Sequence, residues 1–414
     1  MLHSLLPKAY HRFLSLPLLG PIVDGFDDWL VANAYARVSR KDAVRMLQRV
    51  DAALRRRQVK AIVDLTHPVL HDCWRTLFKT DPGNAGTVHT LERYMVSNGL
   101  IADGRHARLT SPVSILIEEY AKYLHEVCGL AASTISGNRH TAQCFLNHLD
   151  EEGVVLKEVQ ATHIESHITK AGKRLSRVSL QRYINALRSF LRFLAIDSRV
   201  SKGLADQIDT PRLYRFEKLP RALPWETVRA LLRSIDRTSA IGLRNYAMFL
   251  LIATYGLRRS DVAALTLDDL CWRQGRLRIN QQKTSSPLEL PLTNEVSSAI
   301  VKHLKRTPPP PAHRRIFLRM HAPIGSLTPS AISKAFHSLV RKSGLRVPFG
   351  GPHCMRHALA THLLKNGTAL KTIGDILGHR CPESTSTYLR LATEDLREVS
   401  LPVPGRERHL KGGQ

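Results

Sequence analysis

His353-Cys-Met-Arg356-His357-Ala-Leu-Ala-Thr361-His-Leu-Leu364, with Leu377-Gly378-His379 behind it and Tyr388 nine residues further on, is the most informative part of this 414-residue chain. The spacing predicts a helix from about His353 to Lys365, a break at Asn366-Gly367, a helix from Thr368 to Leu377 stopped by Gly378, and a last helical segment from Pro382 to Val399. His353, Arg356 and His357 then open one helix, His379 follows a glycine stop, and Tyr388 lies early in the last segment. Far upstream, Tyr255-Gly256-Leu-Arg258-Arg-Ser260-Asp261 repeats the pattern: a helix reaching Tyr255, a glycine stop, an arginine, and Ser260 as the cap of a short new helix. Taken singly these residues are ordinary. An arginine at a helix end is usually salt-bridged, a lone histidine structural, a lone tyrosine half-core.

Taken together they suit attack on a phosphodiester, which needs a nucleophile, positive charge on the non-bridging oxygens and a proton for the leaving oxygen. Two arginines supply permanently charged forks that match phosphate oxygens. A lysine or histidine can deliver the proton, and a phenol can attack phosphorus to form a covalent ester. This route needs no metal or other cofactor, and the segment lacks the clustered carboxylates that bind Mg²⁺ in two-metal nucleases.

Between these stretches the apolar period changes to two. Leu277 and Ile279 alternate with Arg276, Arg278 and Asn280, and Leu288, Leu290 and Leu292 with Glu289 and Pro291, so a small antiparallel sheet is expected. The polar turn from Gln281 to Pro287 joins its strands and carries Lys283. Helices resume after Thr293; Pro308 to Pro311 marks a loop, and Thr328-Pro329 opens a helix ending near Gly344. Towards the N-terminus, Pro224 heads a helix with Val228, Leu231, Leu232 and Ile235 on one face. The preceding connector, about 201–224, reads as an interdomain linker that could track a phosphate backbone. Residues 111–200 read as a compact helical domain of three amphipathic helices, opening at Ser111-Pro112 and running over about 133–149 and 176–196. Arg177, Arg182, Arg188 and Arg192 decorate the third, with Arg174 just before it, and this basic face is expected to bind DNA. Residues 1–110 mix short helical patterns with Pro and Gly breaks and carry no motif with chemistry.

Lysine and arginine exceed aspartate and glutamate by 61 to 35, a formal charge of +26, which makes a polyanion the first partner to consider. The six cysteines are scattered without a CxxC pair, which fits a reducing, cytoplasmic compartment better than a disulfide framework or a zinc ribbon. The most apolar stretch, Ala247 to Tyr255, is under half the roughly 20 residues that cross a bilayer, so no membrane association is expected. Phe13 to Val23 is apolar, but prolines interrupt it and no small-x-small cleavage site follows.

The sequence resembles the tyrosine recombinase, or phage integrase, superfamily. Tyr255-Gly-Leu-Arg258-Arg-Ser-Asp261 looks like the family's first arginine box, His353-Cys-Met-Arg356-His357 its H-x-x-R-H box, and Leu377-Gly378-His379 its LGH box; Tyr388 stands at the family's nucleophile spacing. Asp261 replaces a more frequent glutamate, Tyr255 stands where threonine is common, and Lys283 lacks the usual Gly-Lys-Gly context. The resemblance covers 222–400, with a looser likeness to the helical core-binding domain over 111–200. It implies that Arg258 and Arg356 hold the scissile phosphate, that Tyr388 attacks it to give a 3′-phosphotyrosyl link, and that Lys283 protonates the departing 5′ oxygen. His353 and His379 would assist proton transfer or phosphate binding, and Asp261 and His357 would support them. It also implies double-stranded DNA with specific recombination sites, a homotetramer on two such sites, accessory proteins in some systems, and a mobile element as the setting.

The expected chain is therefore mostly α with a small antiparallel sheet: an N-terminal helical domain (1–110), a helical SAM-like core-binding domain (111–200), a linker (201–221), a mixed α/β catalytic domain (222–400) and a tail (401–414). Three rivals compete. A type IB topoisomerase shares the chemistry but rejoins the original strands. A regulator that only binds DNA leaves the ordered Arg258, Arg356 and Tyr388 unexplained. A metal site on His353 and His357 with Cys354 or Cys381 has Arg356 in its midst and no acidic base.

Overall fold

The computed structural model of the chain describes residues 2–102, 111–214, 217, 221–284, 286–311 and 313–391. They form two compact units, the first drawn largely from residues up to Glu217 and the second from those after it.

The first unit is helical. Its N-terminal part comprises α1 (Leu2–Leu5), α2 (Tyr10–Leu14), α3 (Val23–Ala32), α4 (Arg37–Arg55), α5 (His67–Thr80) and α6 (Thr87–Ser97). Some are longer than the short patterns expected: α4 runs 19 residues because Val44, Leu47, Val50 and Leu54 keep one buried stripe along an otherwise strongly charged helix. Buried carboxylates fix the turns. Asp51 accepts the backbone N–H groups of Leu18 and Leu19, both at 2.9 Å, and Asp27 takes a two-pronged ion pair from Arg40.

Four more helices follow: α7 (Pro112–Glu126), α8 (Ala132–Glu151), α9 (Ala161–Gly172) and α10 (Arg177–Ile196). Ser111 and Ser176 cap α7 and α10 through their hydroxyls. Tyr120, Phe145, Leu187, Phe190 and Leu194 fill the core between them. Helix α9 is an addition to the three expected, since only Ile164 and His167 on it are buried, too sparse a pattern for a period to show. The connector also departs from expectation at its start. Val200, Leu204, Ala205 and Ile208 are buried in this same core, so residues 200–208 belong to the helical fold instead of running free.

The second unit begins with α11 (Trp225–Arg233) and α12 (Ala240–Tyr255). Helix α12 is apolar nearly all round and is buried accordingly. Helix α13 (Arg259–Ala264) follows, but Arg258 is its N-cap and not Ser260. The chain restarts a helix at once after the Gly256 stop, and Asp261, at the third helical position, reaches back to accept the Arg258 backbone N–H at 3.3 Å. Strands β1 (Leu270–Cys271), β2 (Arg276–Asn280) and β3 (Pro287–Pro291) form an antiparallel sheet in the order β1-β2-β3. Leu277 faces Leu290 and Ile279 faces Leu288 across β2 and β3, which places the predicted apolar alternation on the core side. Then come α14 (Asn294–Arg306), α15 (Pro329–Ser343), α16 (His353–Lys365), α17 (Leu370–Leu377) and α18 (Glu383–Ser386). The expected long last helix is instead the four-residue α18 and a tight 3-10 turn, Thr387–Leu391, so Tyr388 lies on the turn; the rest of the 382–399 expectation falls outside the described residues. No described helix is long and apolar enough to cross a membrane.

Candidate active site

Two glycine-terminated helices and the start of a third meet at one guanidinium. Gly256 ends α12 and Gly378 ends α17, each in the left-handed conformation at φ 63° and 62°. A helix end leaves carbonyls without intrahelical partners and carries partial negative charge. Arg356, in the first turn of α16, donates Nη1 to the Gly256 carbonyl and Nη2 to the Leu377 carbonyl at 2.8 Å. It is only 2% exposed. Burial first, and then the Arg258 charge, pull its pKa down to about 10, with Tyr388 and Asp261 acting the other way. It therefore remains a cation at neutral pH.

Arg258 lies beside it. Its Nη1 is buried and has no hydrogen-bond partner among the described residues, and its contact with Asp261 Oδ2 is a longer ion pair at 3.9 Å. Asp261, 1% exposed, has other bonds: besides the Arg258 N–H, its Oδ1 accepts the Gln282 N–H at 3.0 Å. One carboxylate thus fixes the arginine loop and the hairpin turn together.

The Tyr388 ring is 2% exposed and packs with Leu359, Ala360, Ile373 and Leu377. Its hydroxyl lies 3.0 Å from His357 Nδ1, with Arg356 adjacent. Burial raises the phenol pKa, and the charges of Arg356 and Arg258 work against that rise. His357 is held at about 4, by burial first and then by Arg356, so it is neutral at pH 7 and shares a hydrogen bond with the phenol through Nδ1. Sequence reasoning gives His357 a supporting place; it is the imidazole that touches Tyr388. His379 stacks on Tyr388 at 6.5 Å between ring centroids, and its Nδ1 pairs with the buried Thr385 hydroxyl at 2.7 Å. His353 packs edge-on against His357 at 4.6 Å and sits at the solvent-facing rim. His379 is also held near 4: desolvation leads, followed by the charges of Arg356, Arg258 and His357.

Lys283 is exposed on the turn between β2 and β3, close enough for its charge to be felt at His353. Two residues that sequence reasoning misses anchor this turn. Gln281, 1% exposed, donates to the Leu377 carbonyl at 3.1 Å, and Arg380 donates to the Thr284 carbonyl and to Ser286 Oγ. A signal for Gln281 exists: it continues the inward parity of Leu277 and Ile279, where a polar residue needs a partner. The rival metal set is not assembled. Cys354 is buried with its thiol on the Gly351 carbonyl, and no group of three potential ligands occurs among the described residues.

In the first unit the five arginines expected to face DNA divide. Arg177 donates to the Arg212 carbonyl at 2.5 Å, Arg188 to the Ile208 carbonyl, and Arg192 pairs with Asp206 at 3.1 Å, so these three hold the connector, whose non-helical carbonyls need donors. Arg174 and Arg182 are exposed and unpaired among the described residues.

Comparison with known proteins agrees with this architecture. Residues 221–395 match the Phage integrase family, and residues 117–196 match the Phage integrase, N-terminal SAM-like domain. The putative integrase/recombinase y4rA of Sinorhizobium fredii is 31% identical over 399 residues, covering 95% of this chain and 97% of that protein. The tyrosine recombinase XerD of Listeria monocytogenes is 29% identical over 69% of this chain and 96% of its own. Among solved structures, the Tn1549 transposon integrase in complex with a circular intermediate DNA aligns with a TM-score of 0.53 at 19% identity, covering 69% of this chain and 99% of that one. The XerH recombinase bound to its difH substrate aligns at 0.53 and 18%, over 72% of this chain and 86% of that one. Similarity along nearly its whole length makes the chain a member of the phage integrase family, the tyrosine recombinases of site-specific DNA recombination and integration.

Proposed function

We propose that this chain cleaves one strand of duplex DNA at a specific recombination site by attack of Tyr388 Oη on the scissile phosphorus, and then exchanges strands with a second site. The observation that carries the reading is the Tyr388 hydroxyl 3.0 Å from neutral His357 Nδ1, beside buried Arg356 and an Arg258 Nη1 that is buried without a hydrogen-bond partner among the described residues. In the first step the P–Oη bond forms as the P–O5′ bond breaks. The phenol proton passes to His357 Nδ1, and Lys283 gives a proton to the departing O5′, leaving a 3′-phosphotyrosyl ester and a free 5′-hydroxyl. Arg258 and Arg356 neutralise the non-bridging oxygens as charge builds there. His353 and His379 hydrogen-bond to the phosphate from the rim, and Asp261 orients Arg258. Attack by a 5′-hydroxyl from the partner duplex reverses the chemistry with a new strand. The two esters are alike in energy, so no nucleotide triphosphate is consumed.

The remaining assignments follow from that reading. Helices α7–α10 act as the core-binding domain, with Arg174 and Arg182 as its free phosphate contacts, and residues 1–110 act as an added arm or dimerisation domain. The working assembly is a tetramer on two sites, and a mobile element is the setting, with DNA flanking the gene as the place to seek the site.

The test is covalent trapping. Duplexes from that flanking DNA, nicked beside candidate sites so that the cleaved fragment diffuses away, should yield a protein–DNA adduct that resists denaturant. Tyr388→Phe should abolish the adduct while binding falls less than about threefold, because one hydroxyl at a reacting centre contributes little ground-state affinity. An adduct that survives in Tyr388→Phe removes the nucleophile from this residue.

A further inference from the structure

The proton donor assigned above sits on an exposed turn, and a lysine there has side-chain rotamer entropy working against a fixed position. The turn itself is held. Gln281 Nε2 donates to the Leu377 carbonyl at 3.1 Å, and Thr284 Oγ1 donates back to Gln281 Oε1 at 2.7 Å. From the loop after α17, Arg380 reaches the far side of the turn, Nε to Ser286 Oγ at 3.1 Å and Nη2 to the Thr284 carbonyl. The Leu377 carbonyl is also the one that takes Arg356 Nη2. The backbone around Lys283, the phosphate-side arginine and the His379 loop therefore share one acceptor.

We propose that Gln281 and Arg380 are positioning residues for Lys283: they clamp its turn to the His379 loop so that the ammonium is presented to the leaving 5′ oxygen. The inference rests on Lys283 being that donor. It gives Arg380 a role distinct from binding phosphate, since two of its guanidinium nitrogens are already engaged by the turn. Any movement of the His379 loop is passed to Lys283 through these bonds, so donor and nucleophile segment are ordered together.

The experiment uses the full chain and a duplex carrying the cleavage site mapped by trapping, in two forms: one with the ordinary O5′ leaving atom and one with sulfur in that bridging position. A thiolate leaves without a proton, so a defect confined to the proton donor vanishes on the sulfur duplex. Arg380→Ala should slow single-turnover cleavage of the oxygen duplex about 10- to 100-fold, within the range a displaced acid produces, and restore it to within about threefold on sulfur. Lys283→Ala should show a larger defect with the same rescue. Arg380 is exposed, so its variant should fold, and Gln281→Ala is the second probe, scored in the same ratio of the two substrates. If Lys283→Ala is not rescued by sulfur, the donor assignment itself fails. If Lys283→Ala is rescued but Arg380→Ala and Gln281→Ala are not, the donor stands and the positioning role is overturned. Undiminished cleavage of the oxygen duplex by Arg380→Ala would overturn it equally.

Discussion

Replacing Gly378 with alanine perturbs the point where the pieces of the site lock together. Gly378 has φ +62°, and a Cβ there would lie 2.1 Å from Gln281 Nε2, 2.7 Å from its Cδ and 2.8 Å from its Oε1. Two terms set the cost. The left-handed conformation costs an alanine about 1–2 kcal/mol. The Gln281 amide is buried, so displacing it breaks its bond to the Leu377 carbonyl and strands the Thr284 hydroxyl, adding about 1–3 kcal/mol. The expected loss is thus about 2–5 kcal/mol, read as a fall in the urea midpoint at constant slope. Gly275 is the internal control. It has φ +61° in the same unit, and a methyl group there would meet nothing within 4 Å among the described residues, so Gly275→Ala should lose only the conformational part, about 1–2 kcal/mol. Equal losses at the two positions would refute the close approach. The linkage adds a second readout, because Gly378→Ala should depress cleavage of the oxygen duplex more than that of the sulfur duplex.

Two further perturbations test the charges. Asp261→Asn keeps the shape but removes one of the two oxygens that accept the Arg258 and Gln282 N–H groups, so stability should fall by about 1.5–3 kcal/mol in urea unfolding; a loss below about 0.5 kcal/mol would mean these bonds are not made. His357 and His379, both half-buried, are held near 4 in the folded chain against an ordinary 6.5, so the unfolded chain binds more protons between those values. Their contribution to stability is complete above about pH 6.5 and is lost as the pH falls towards 4. Imidazole proton resonances followed by NMR should show His357 and His379 neutral at about pH 6, and an ordinary titration near 6.5 in the free protein would contradict the burial argument.

The parts of the fold with local causes were legible. The period-two alternation named β2 and β3 and put Lys283 on their turn, and the glycine stops after Tyr255 and Leu377 marked two helix ends to the residue. What could not be read was long-range. Nothing local says that the carbonyls of Gly256 and Leu377, far apart in the chain, converge on Arg356. The same limit hid Gln281 and Arg380, each with a partner 96 residues away. It also hid the partners of α10: Arg177, Arg188 and Arg192 bond the backbone and side chains of 206–212, and Arg177 and Arg192 stay more than half exposed while doing so. The short α18 and the turn bearing Tyr388 read as one helix because Pro382 is an acceptable first-turn residue and no glycine follows to stop it.

The manner in which the two arginines are held bears on what they can do. A buried guanidinium needs something to replace water, and a carboxylate would serve best for stability. A carboxylate on the fork of Arg356 would also cancel its charge and occupy the geometry a phosphate needs. Helix-end carbonyls satisfy two of its donors while leaving the full positive charge in place. Arg258 reaches the same result differently: the nearby Asp261 is committed to backbone N–H groups and stands 3.9 Å from Nη1, outside hydrogen-bond reach. With His357 and His379 neutral, Arg258 and Arg356 share one carboxylate, Asp261. That surplus is the electrostatic complement of a phosphodiester gaining negative charge, built before the substrate arrives and needing no reorganisation when it does.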